Sequence, residues 1–316
     1  MDGKLLSRMR AAPRVKSMPL VRAAAGVAAD LVFPRRCPVC DRPVRPFGAL
    51  VCPECAPMAE WVREPVCRRC GKSLQRRGSG IMPPEDPRAC FTADRGALQR
   101  RDSGVMPPGE YTDLYGGAGG FLQDPGRETD GLCLDCRTYV HLFERGCAVF
   151  TYHSVAGGIF RFKYNGRREY GAWYGKCMAQ RLLELTSAGR GRAAFPIPDM
   201  LVPVPLSRRR LEKRGYNQAL ILAREISDYT GIPVRADVLK RVAETPPLKK
   251  MSFSERQNNL KKAFQAFGND VELKTIMLID DIYTTGASID ACSDALYRQG
   301  ARSVCFMALA TGVDPV

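Results

Sequence analysis

The chain has 316 residues, of which 13 are cysteine, and its 48 basic and 33 acidic side chains give a net charge of +15. This length allows one good-sized hydrophobic core with an appendage, and the charge favours anionic partners such as nucleotides, pyrophosphate or nucleic acid. No segment approaches the roughly 18 apolar residues that a membrane-spanning helix needs, so no membrane span is expected.

Residues 1–30 form a basic N-terminal tail, and a mildly apolar stretch runs from Val21 to Phe33. A signal peptide is one interpretation of this pattern. Arg22 and Asp30 interrupt the apolar stretch, however, and a cysteine cluster follows at once. The sequence therefore favours a short amphipathic helix that leads into the next module.

Eight of the cysteines form four Cys-x-x-Cys pairs, and the odd total argues against a complete disulfide framework. Such pairs are typical of zinc ribbons, in which two tight turns each present two thiolates to a tetrahedral ion. The predicted ligands are Cys37, Cys40, Cys52, Cys55, Cys67, Cys70, Cys133 and Cys136. Four thiolates leave no open coordination position, so we expect Zn²⁺ in a structural role. A reducing, cytoplasmic location is the matching expectation.

The four pairs leave the number of zinc ions open. They fit two ions, bound by the pairs in sequence order or interleaved, or one ion beside a vestigial second cluster. The spacing is most ribbon-like for the first two pairs. The last two become ribbon-like only if the residues between them loop out.

The segment 74–130, between the third and fourth pairs, is rich in Gly, Pro, Arg and Asp and is predicted to be a disordered insert. Leu74–Pro84 recurs with few changes as Leu98–Pro108, and two copies are too few for a solenoid. A basic interaction loop is the alternative. Cys90 in this segment has no partner by spacing and is not a predicted ligand. The whole Cys-rich module is assigned to residues 31–146.

Residues 147–316 alternate apolar runs with helical patterns, which predicts an α/β domain with a mostly parallel sheet and flanking helices. The expected strands are Cys147–His153, Leu201–Pro205, Val238–Val242, Ile276–Ile279 and Ser303–Ala310. The expected helices are one capped by Ser154, then Arg168–Leu185, Tyr216–Tyr229, Ser252–Lys262 and Ile289–Gly300.

The strand Ile276–Ile279 leads into Asp280 and Asp281, and a loop of small and hydroxyl residues, Thr284–Ser288, precedes the next helix. Gly286 lets the backbone approach a ligand, and free N–H groups at the helix start attract phosphate. The two carboxylates follow the strand at its carboxyl end, where open α/β sheets bind ligands. They are expected to hold ribose hydroxyls directly or through Mg²⁺. An ordinary turn after an acidic strand end, as in receiver domains, is the alternative.

This stretch resembles the phosphoribosyl pyrophosphate (PRPP) signature of the type I phosphoribosyltransferases. The resemblance implies a type I phosphoribosyltransferase-like fold. It also implies PRPP contacts at Asp280, Asp281, Thr284, Thr285, Gly286, Ala287 and Ser288. Transfer of a phosphoribosyl group needs a metal and cations on the leaving pyrophosphate rather than a covalent nucleophile. We accordingly assign no role to the two histidines, His141 and His153.

Two basic loops are expected to bind the pyrophosphate. The first follows the strand Leu201–Pro205, and it adds Pro205, Ser207 and Arg208 to the predicted PRPP contacts. The second, residues 240–262, carries seven basic and two acidic side chains and is expected to close as a lid. The predicted catalytic residues are Asp280, Asp281, Lys249, Lys250 and Arg256. A solvated basic face is the alternative for both loops.

The order of further motifs resembles the ComF family, in which cysteine knuckles precede a phosphoribosyltransferase-like domain. The matching pieces are Phe33–Cys40, Cys67–Gly71, Lys163–Gly166, Leu201–Leu206, Arg214–Gln218, Thr245–Pro247, Ser254–Leu260 and Asp280–Ser288. The resemblance implies binding of PRPP or a related nucleotide and a link to natural competence, meaning DNA uptake and processing. Competence or recombination proteins are the implied partners.

Three functions remain open on the sequence. The first is a ComF-type transferase that passes phosphoribosyl to an acceptor that the sequence does not identify. The second is a competence factor that binds single-stranded DNA and uses the transferase fold as a scaffold without turnover. It rests on the net charge, the zinc ribbon and the Arg/Lys loops, which include Arg208–Arg210. The third is an interaction module that PRPP regulates.

Overall fold

The computed structural model describes residues 34–46, 48–74, 131–187, 195–243 and 262–312. The predicted N-terminal helix, the insert beyond Leu74 with Cys90, and the basic helix predicted at Ser252–Lys262, except Lys262 itself, lie outside these ranges. The boundaries proposed between the Cys-rich module and the α/β domain stay a prediction.

A four-stranded sheet lies at the centre, in the order β1–β6–β5–β2, and every neighbouring pair in it is parallel. Its strands are β1 (Arg145–Thr151), β2 (Met200–Pro203), β5 (Thr275–Tyr283) and β6 (Ser303–Thr311). A separate antiparallel pair consists of β3 (Leu239–Arg241) and β4 (Phe264–Ala266). The long apolar runs of β5 and β6 suit strands that are covered on both faces. The predicted mostly parallel sheet is confirmed.

Six α-helices flank the strands within the described ranges. They are α1 (Leu134–Thr138), α2 (Tyr152–Tyr164), α3 (Tyr170–Ser187), α4 (Arg208–Arg214), α5 (Gln218–Thr230) and α6 (Ala287–Arg298). Two 3₁₀ turns lie at Ala56–Met58 and Asn269–Val271. None of these helices combines the length and apolarity that a bilayer crossing requires.

The junction of β1 and α2 differs from the sequence prediction. The strand ends at Thr151 and the helix begins at Tyr152, so His153 does not end a strand and Ser154 is not a cap. The N–H of Thr151 donates to Glu60 O at 2.9 Å, and Ser154 Oγ accepts from Glu60 N at 3.0 Å. The Cys-rich module therefore pairs with β1 up to Thr151, and the chain turns into the helix directly after that pairing.

The Cys-rich module packs on both faces of the sheet. The first cysteine cluster shares a core with α2, α3, α5 and the face of β5 that carries Met277 and Ile279. The second cluster shares a core with α6 and the opposite face, which carries Ile276 and Leu278. Each cysteine cluster thus supports a different side of the strand that leads to the acidic pair.

Candidate sugar-phosphate site

The acidic pair lies where β5 extends beyond its neighbour β2. The last residue of β2, Pro203, is paired with Ile279, and the N–H of Val204 donates to Ile279 O at 2.9 Å. On the other side β6 continues, so that Asp280 is paired with Ala308. The strand therefore runs through the acidic pair to Tyr283 instead of ending before it, because β6 still supplies a partner. The backbone beside Asp280 and Asp281 is open on the β2 side.

Successive side chains of a strand point to opposite faces, so the two carboxylates have different surroundings. Asp280 Oδ1 accepts a hydrogen bond from Asp281 N at 2.8 Å. Burial, followed by the nearby charge of Asp281, raises the pKa of Asp280 to about 7. A carboxyl group with this pKa changes its charge near neutral pH, and a bound cation would favour its ionised form.

Lys163 supplies the counter-charge for Asp281. Its Nζ lies 2.7 Å from Asp281 Oδ1, and both side chains are largely buried. Lys163 is the second-last residue of α2 and belongs to the motif Lys163–Gly166, in which Gly166 has a φ of +69°. The sequence pattern marks the motif but does not assign Lys163 to the site. Only tertiary structure brings the end of α2 to the end of β5.

Two further motifs are connected directly to this helix end. The hydroxyl of Tyr216 donates to Phe162 O, and Gln218 Nε2 donates to the same oxygen at 3.5 Å. Asn217 Nδ2 donates to Val204 O at 3.0 Å, next to the end of β2. The segment Arg214–Gln218 therefore fixes the position of α2 relative to β2.

The loop after β5 leads into the first turn of α6 through a glycine in the left-handed conformation. Gly286 is the N-cap residue of α6 with φ of +81°, and no side chain caps the first turn of the helix. A Cβ on Gly286 would lie 2.9 Å from His141 Cε1 and from Tyr283 Oη, so both the φ and the space require glycine. Ala287 is buried with Gly286, whereas Thr285 and Ser288 are partly exposed and Thr284 is exposed. The three hydroxyl residues of this loop are therefore accessible to solvent.

His141 holds the helix that follows this loop. Its Nδ1 lies 2.8 Å from Asp290 Oδ2, and the N–H of Leu142 donates to Asp290 Oδ1 at 2.8 Å. The carbonyl oxygen of His141 accepts a hydrogen bond from Arg69, which lies between two cysteines of the second cluster. The second cluster and α6 are therefore connected through His141, a residue without an assigned role in the sequence analysis.

The thiols form two clusters in sequence order. The first contains Cys37, Cys40, Cys52 and Cys55, the second contains Cys67, Cys70, Cys133 and Cys136, and within each cluster all Sγ atoms lie within 4.8 Å of one another. Tetrahedral zinc with Zn–S bonds of about 2.3 Å requires Sγ–Sγ distances of about 3.8 Å. The distances are 4.0 Å for Cys40–Cys52 and 3.5 Å for Cys70–Cys133. Both clusters fit structural zinc.

The other residues predicted to contact PRPP or to act in catalysis lie outside the loop that follows β5. Ser207 is buried as the N-cap of α4, and its Oγ accepts from Arg210 N at 3.4 Å. Arg208 is 90% exposed and pairs with Glu212 at 2.9 Å. Pro205 follows Val204 at the open side of β5. Lys249, Lys250 and Arg256 lie in residues 244–261, outside the described ranges, and their roles stay predictions.

Comparison with known proteins supports two parts of this description. The double zinc ribbon domain matches residues 28–91. The chain is 30% identical to competence protein F of Haemophilus influenzae over 46% of its length and 63% of the relative. It is 30% identical to the DNA utilization protein YhgH of Salmonella typhi over 46% of the chain and 62% of that protein. Against competence protein ComFC of Bacillus subtilis, the identity is 29% over 54% of the chain and 67% of the relative. The predicted resemblance to the ComF family is confirmed.

The match spans a little over three fifths of the first two relatives. Among solved structures, a hypoxanthine-guanine phosphoribosyltransferase of Bacillus anthracis is 12% identical, with a TM-score of 0.28 over 44% of this chain and 68% of that chain. A TM-score this low decides nothing about fold or activity. The fold assignment therefore rests on the parallel sheet and on the cysteine clusters themselves.

Proposed function

We propose that this relative of the ComF competence proteins binds PRPP together with Mg²⁺ at the end of β5. The observation that carries the proposal is the direct succession of Asp280, Asp281 and the first turn of α6, which begins at Gly286 without a side-chain cap. The N–H groups of that turn and the helix dipole attract a phosphate group. The acidic pair lies one short loop before this turn, at the end of β5, where it would face the ribose of the same ligand.

The residues around the acidic pair suit a metal-bound diphosphate. Carboxylate oxygens are the ligands that Mg²⁺ prefers, and it usually binds one or two of them together with substrate phosphates. Asp280 and Asp281 would hold the ion, which would supply positive charge for the leaving pyrophosphate. Lys163 adds a fixed cation at the same place, because its ammonium group already contacts Asp281. Lys249, Lys250, Arg256 and the loop Pro205–Arg208 stay proposed contacts of the pyrophosphate.

Transfer of the phosphoribosyl group to an acceptor is the activity that such a site would support. Positive charge develops on the ribose as the bond to pyrophosphate breaks, and the two carboxylates are the groups proposed to stabilise it. Screening of bases for pyrophosphate release, with zinc-loaded protein and Mg-PRPP, tests turnover. Binding without release for any acceptor would favour an interaction module that PRPP regulates.

Calorimetric titration with PRPP and Mg²⁺ tests the binding site. We expect wild-type protein to bind, and the Asp280→Asn/Asp281→Asn variant to lose most of its affinity. Asp237→Asn/Asp270→Asn is the matched control, since both carboxylates are exposed partners of Arg235 and the variant has the same change of charge. Equal affinity in wild-type protein and the Asp280→Asn/Asp281→Asn variant would remove the basis of the proposal.

The names of the relatives support a role in competence, meaning uptake or processing of DNA. Expression of this chain in Haemophilus influenzae that lacks competence protein F tests the role through transformation frequency. If the wild-type chain restores transformation and the Asp280→Asn/Asp281→Asn variant does not, competence depends on the sugar-phosphate site. Rescue by both would favour the nucleic-acid scaffold, for which the three exposed arginines Arg208–Arg210 of α4 are the supporting observation.

A further inference from the structure

Two aromatic side chains lie exposed next to each other on α2. Phe160 is 57% and Tyr164 51% exposed, one helical turn apart, and their ring centroids are separated by 5.1 Å with an angle of 48° between the planes. Single exposed aromatic residues are common on protein surfaces, but contiguous apolar patches indicate a binding surface. Packing of the core does not account for this pair, since more than half of each side chain is open to solvent.

A neighbouring arginine fixes the orientation of one ring. The guanidinium carbon of Arg214 lies 4.9 Å from the centroid of the Tyr164 ring, and its Nη2 donates to Tyr164 Oη at 3.2 Å. The Nη1 of Arg214 donates to Gln218 Oε1 at 2.8 Å, so the arginine is itself held by α5. Tyr164 is thus oriented before any ligand binds, which lowers the entropic cost of stacking a planar group on the ring pair.

The aromatic pair continues into a strongly basic helix. Arg214 is the last residue of α4, which contains five cations and one acid: Arg208, Arg209, Arg210, Lys213 and Arg214, with Glu212. Arg208, Arg209, Arg210 and Lys213 are all exposed, and Leu211 between them is 44% exposed. A cationic helix whose last residue contacts Tyr164 offers positive charge for phosphates next to two rings on which bases can stack.

We propose that α2 and α4 together bind single-stranded nucleic acid, with unpaired bases stacked on Phe160 and Tyr164 and phosphates along α4. An unpaired strand fits because the faces of its bases are free, whereas in a duplex they are covered by neighbouring base pairs. A specific membrane contact would need a broader apolar face than two rings and one leucine. We call Phe160, Tyr164 and the exposed residues of α4 the stacking surface.

The stacking surface begins at the edge of the sugar-phosphate site. Tyr164 follows Lys163, whose ammonium group contacts Asp281. A strand bound on the surface would therefore pass close to the acidic pair without occupying it. Phe160 and Tyr164 are not among the residues proposed to hold PRPP, and Arg208 is the one residue that both proposals use.

Fluorescence anisotropy with a labelled oligothymidylate and full-length, zinc-loaded protein tests the stacking surface. We expect Phe160→Ala/Tyr164→Ala to weaken binding on the order of tenfold or more, as for other base-stacking residues, with the salt dependence unchanged. Tyr164→Phe should retain binding, since the ring remains. Phe267→Ala is the matched control, because Phe267 directly follows β4, is 37% exposed and has Lys240 5.0 Å from its ring centroid.

Absence of oligothymidylate binding by wild-type protein would overturn the proposal. So would equal weakening by Phe160→Ala/Tyr164→Ala and Phe267→Ala, or a preference for a duplex of the same length. Binding to anionic phosphatidylglycerol vesicles but not to the oligonucleotide would assign the surface to a membrane instead. Titration of the same variants with Mg-PRPP separates the two sites. A variant that loses oligonucleotide binding but keeps PRPP binding is defective in the stacking surface alone.

Discussion

The ammonium group of Lys163 and the carboxylate of Asp281 form an ion pair of 2.7 Å that joins the end of α2 to the end of β5. The pair crosses between two elements that are far apart in sequence and meet at the open side of the sheet. Because both side chains are largely buried, removing one partner leaves a charge with little solvent to stabilise it.

A double-mutant cycle measures this pair. We expect Lys163→Gln alone to lower the free energy of unfolding by about 1–3 kcal/mol, less than for a fully buried pair since some solvent reaches both groups. In the Asp281→Asn background, the same substitution should cost clearly less, with a coupling above about 0.5 kcal/mol in urea denaturation. Additive effects would mean that the ion pair does not contribute to stability.

The raised pKa of Asp280 predicts a pH dependence. Its pKa is about 7 in the folded chain and near 4 when unfolded, so the folded state binds the extra proton between these values. The stabilising effect of the protonated carboxyl is complete below pH 4 and is lost as the pH rises through 7. We expect Asp280→Asn to raise the free energy of unfolding by about 1–3 kcal/mol at pH 8 and to have little effect at pH 4.

Thermal unfolding of wild-type protein and Asp280→Asn at several pH values, without ligand, checks this expectation. A constant difference between the two proteins from pH 4 to pH 8 would contradict it. The affinity for Mg-PRPP should change with pH in the opposite direction to the stability. Because a cation binds the ionised carboxylate, this affinity should increase as the pH rises from 6 to 8.

Substitution of Gly286 separates backbone strain from steric contact. Gly286→Ala places a Cβ 2.9 Å from His141 Cε1 and Tyr283 Oη, in a residue with φ of +81°. Gly231→Ala has nearly the same φ, +73°, with nothing within 4 Å of the new atom. Both variants should lose about 1 kcal/mol from backbone strain, and Gly286→Ala a further 1–3 kcal/mol from displaced neighbours.

The two variants should also differ in ligand binding. Gly286→Ala is expected to lose Mg-PRPP affinity, because His141 and Asp290 hold the turn that is proposed to bind the phosphate, whereas Gly231→Ala should retain it. Equal Mg-PRPP affinity in the two variants would show that the turn at Gly286 does not form the phosphate site.

Zinc content is expected to be two ions per chain. Cys133→Ser/Cys136→Ser should leave one ion and weaken Mg-PRPP binding, since His141 connects the second cluster to α6. Cys52→Ser/Cys55→Ser is the matched variant of the first cluster, which packs on the other face of the sheet. Atomic absorption and calorimetry measure both effects. One ion in wild-type protein, or no difference between the two variants in PRPP binding, would contradict the connection.

The sequence predicted those parts of the fold that local patterns determine. The apolar runs at Ile276–Ile279 and Ser303–Ala310 are strands, and the four thiol pairs assemble in one of the orders the spacing allowed. It failed at the start of α2, where pairing of Thr151 with Glu60 sets the boundary through a distant segment.

The candidate site was predictable only in part, for the same reason. Asp280, Asp281 and the loop to Ser288 are contiguous, so their pattern is visible in one stretch of sequence. Lys163 and His141 reach them from segments more than a hundred residues away, and a lone lysine or histidine carries no periodic signal. The ion pair with Asp281 and the bond to Asp290 become visible only when the sheet is assembled.

The most direct test of the central claim is the calorimetric affinity of the zinc-loaded chain for PRPP, measured with Mg²⁺ and again in buffer freed of Mg²⁺ without a chelator, which would also remove zinc. For wild-type protein we predict binding that weakens at least about tenfold without Mg²⁺, and for Asp280→Asn/Asp281→Asn weak binding in both conditions, since these carboxylates are the proposed ligands of the ion. No binding of PRPP to folded wild-type protein in either condition would contradict the sugar-phosphate site.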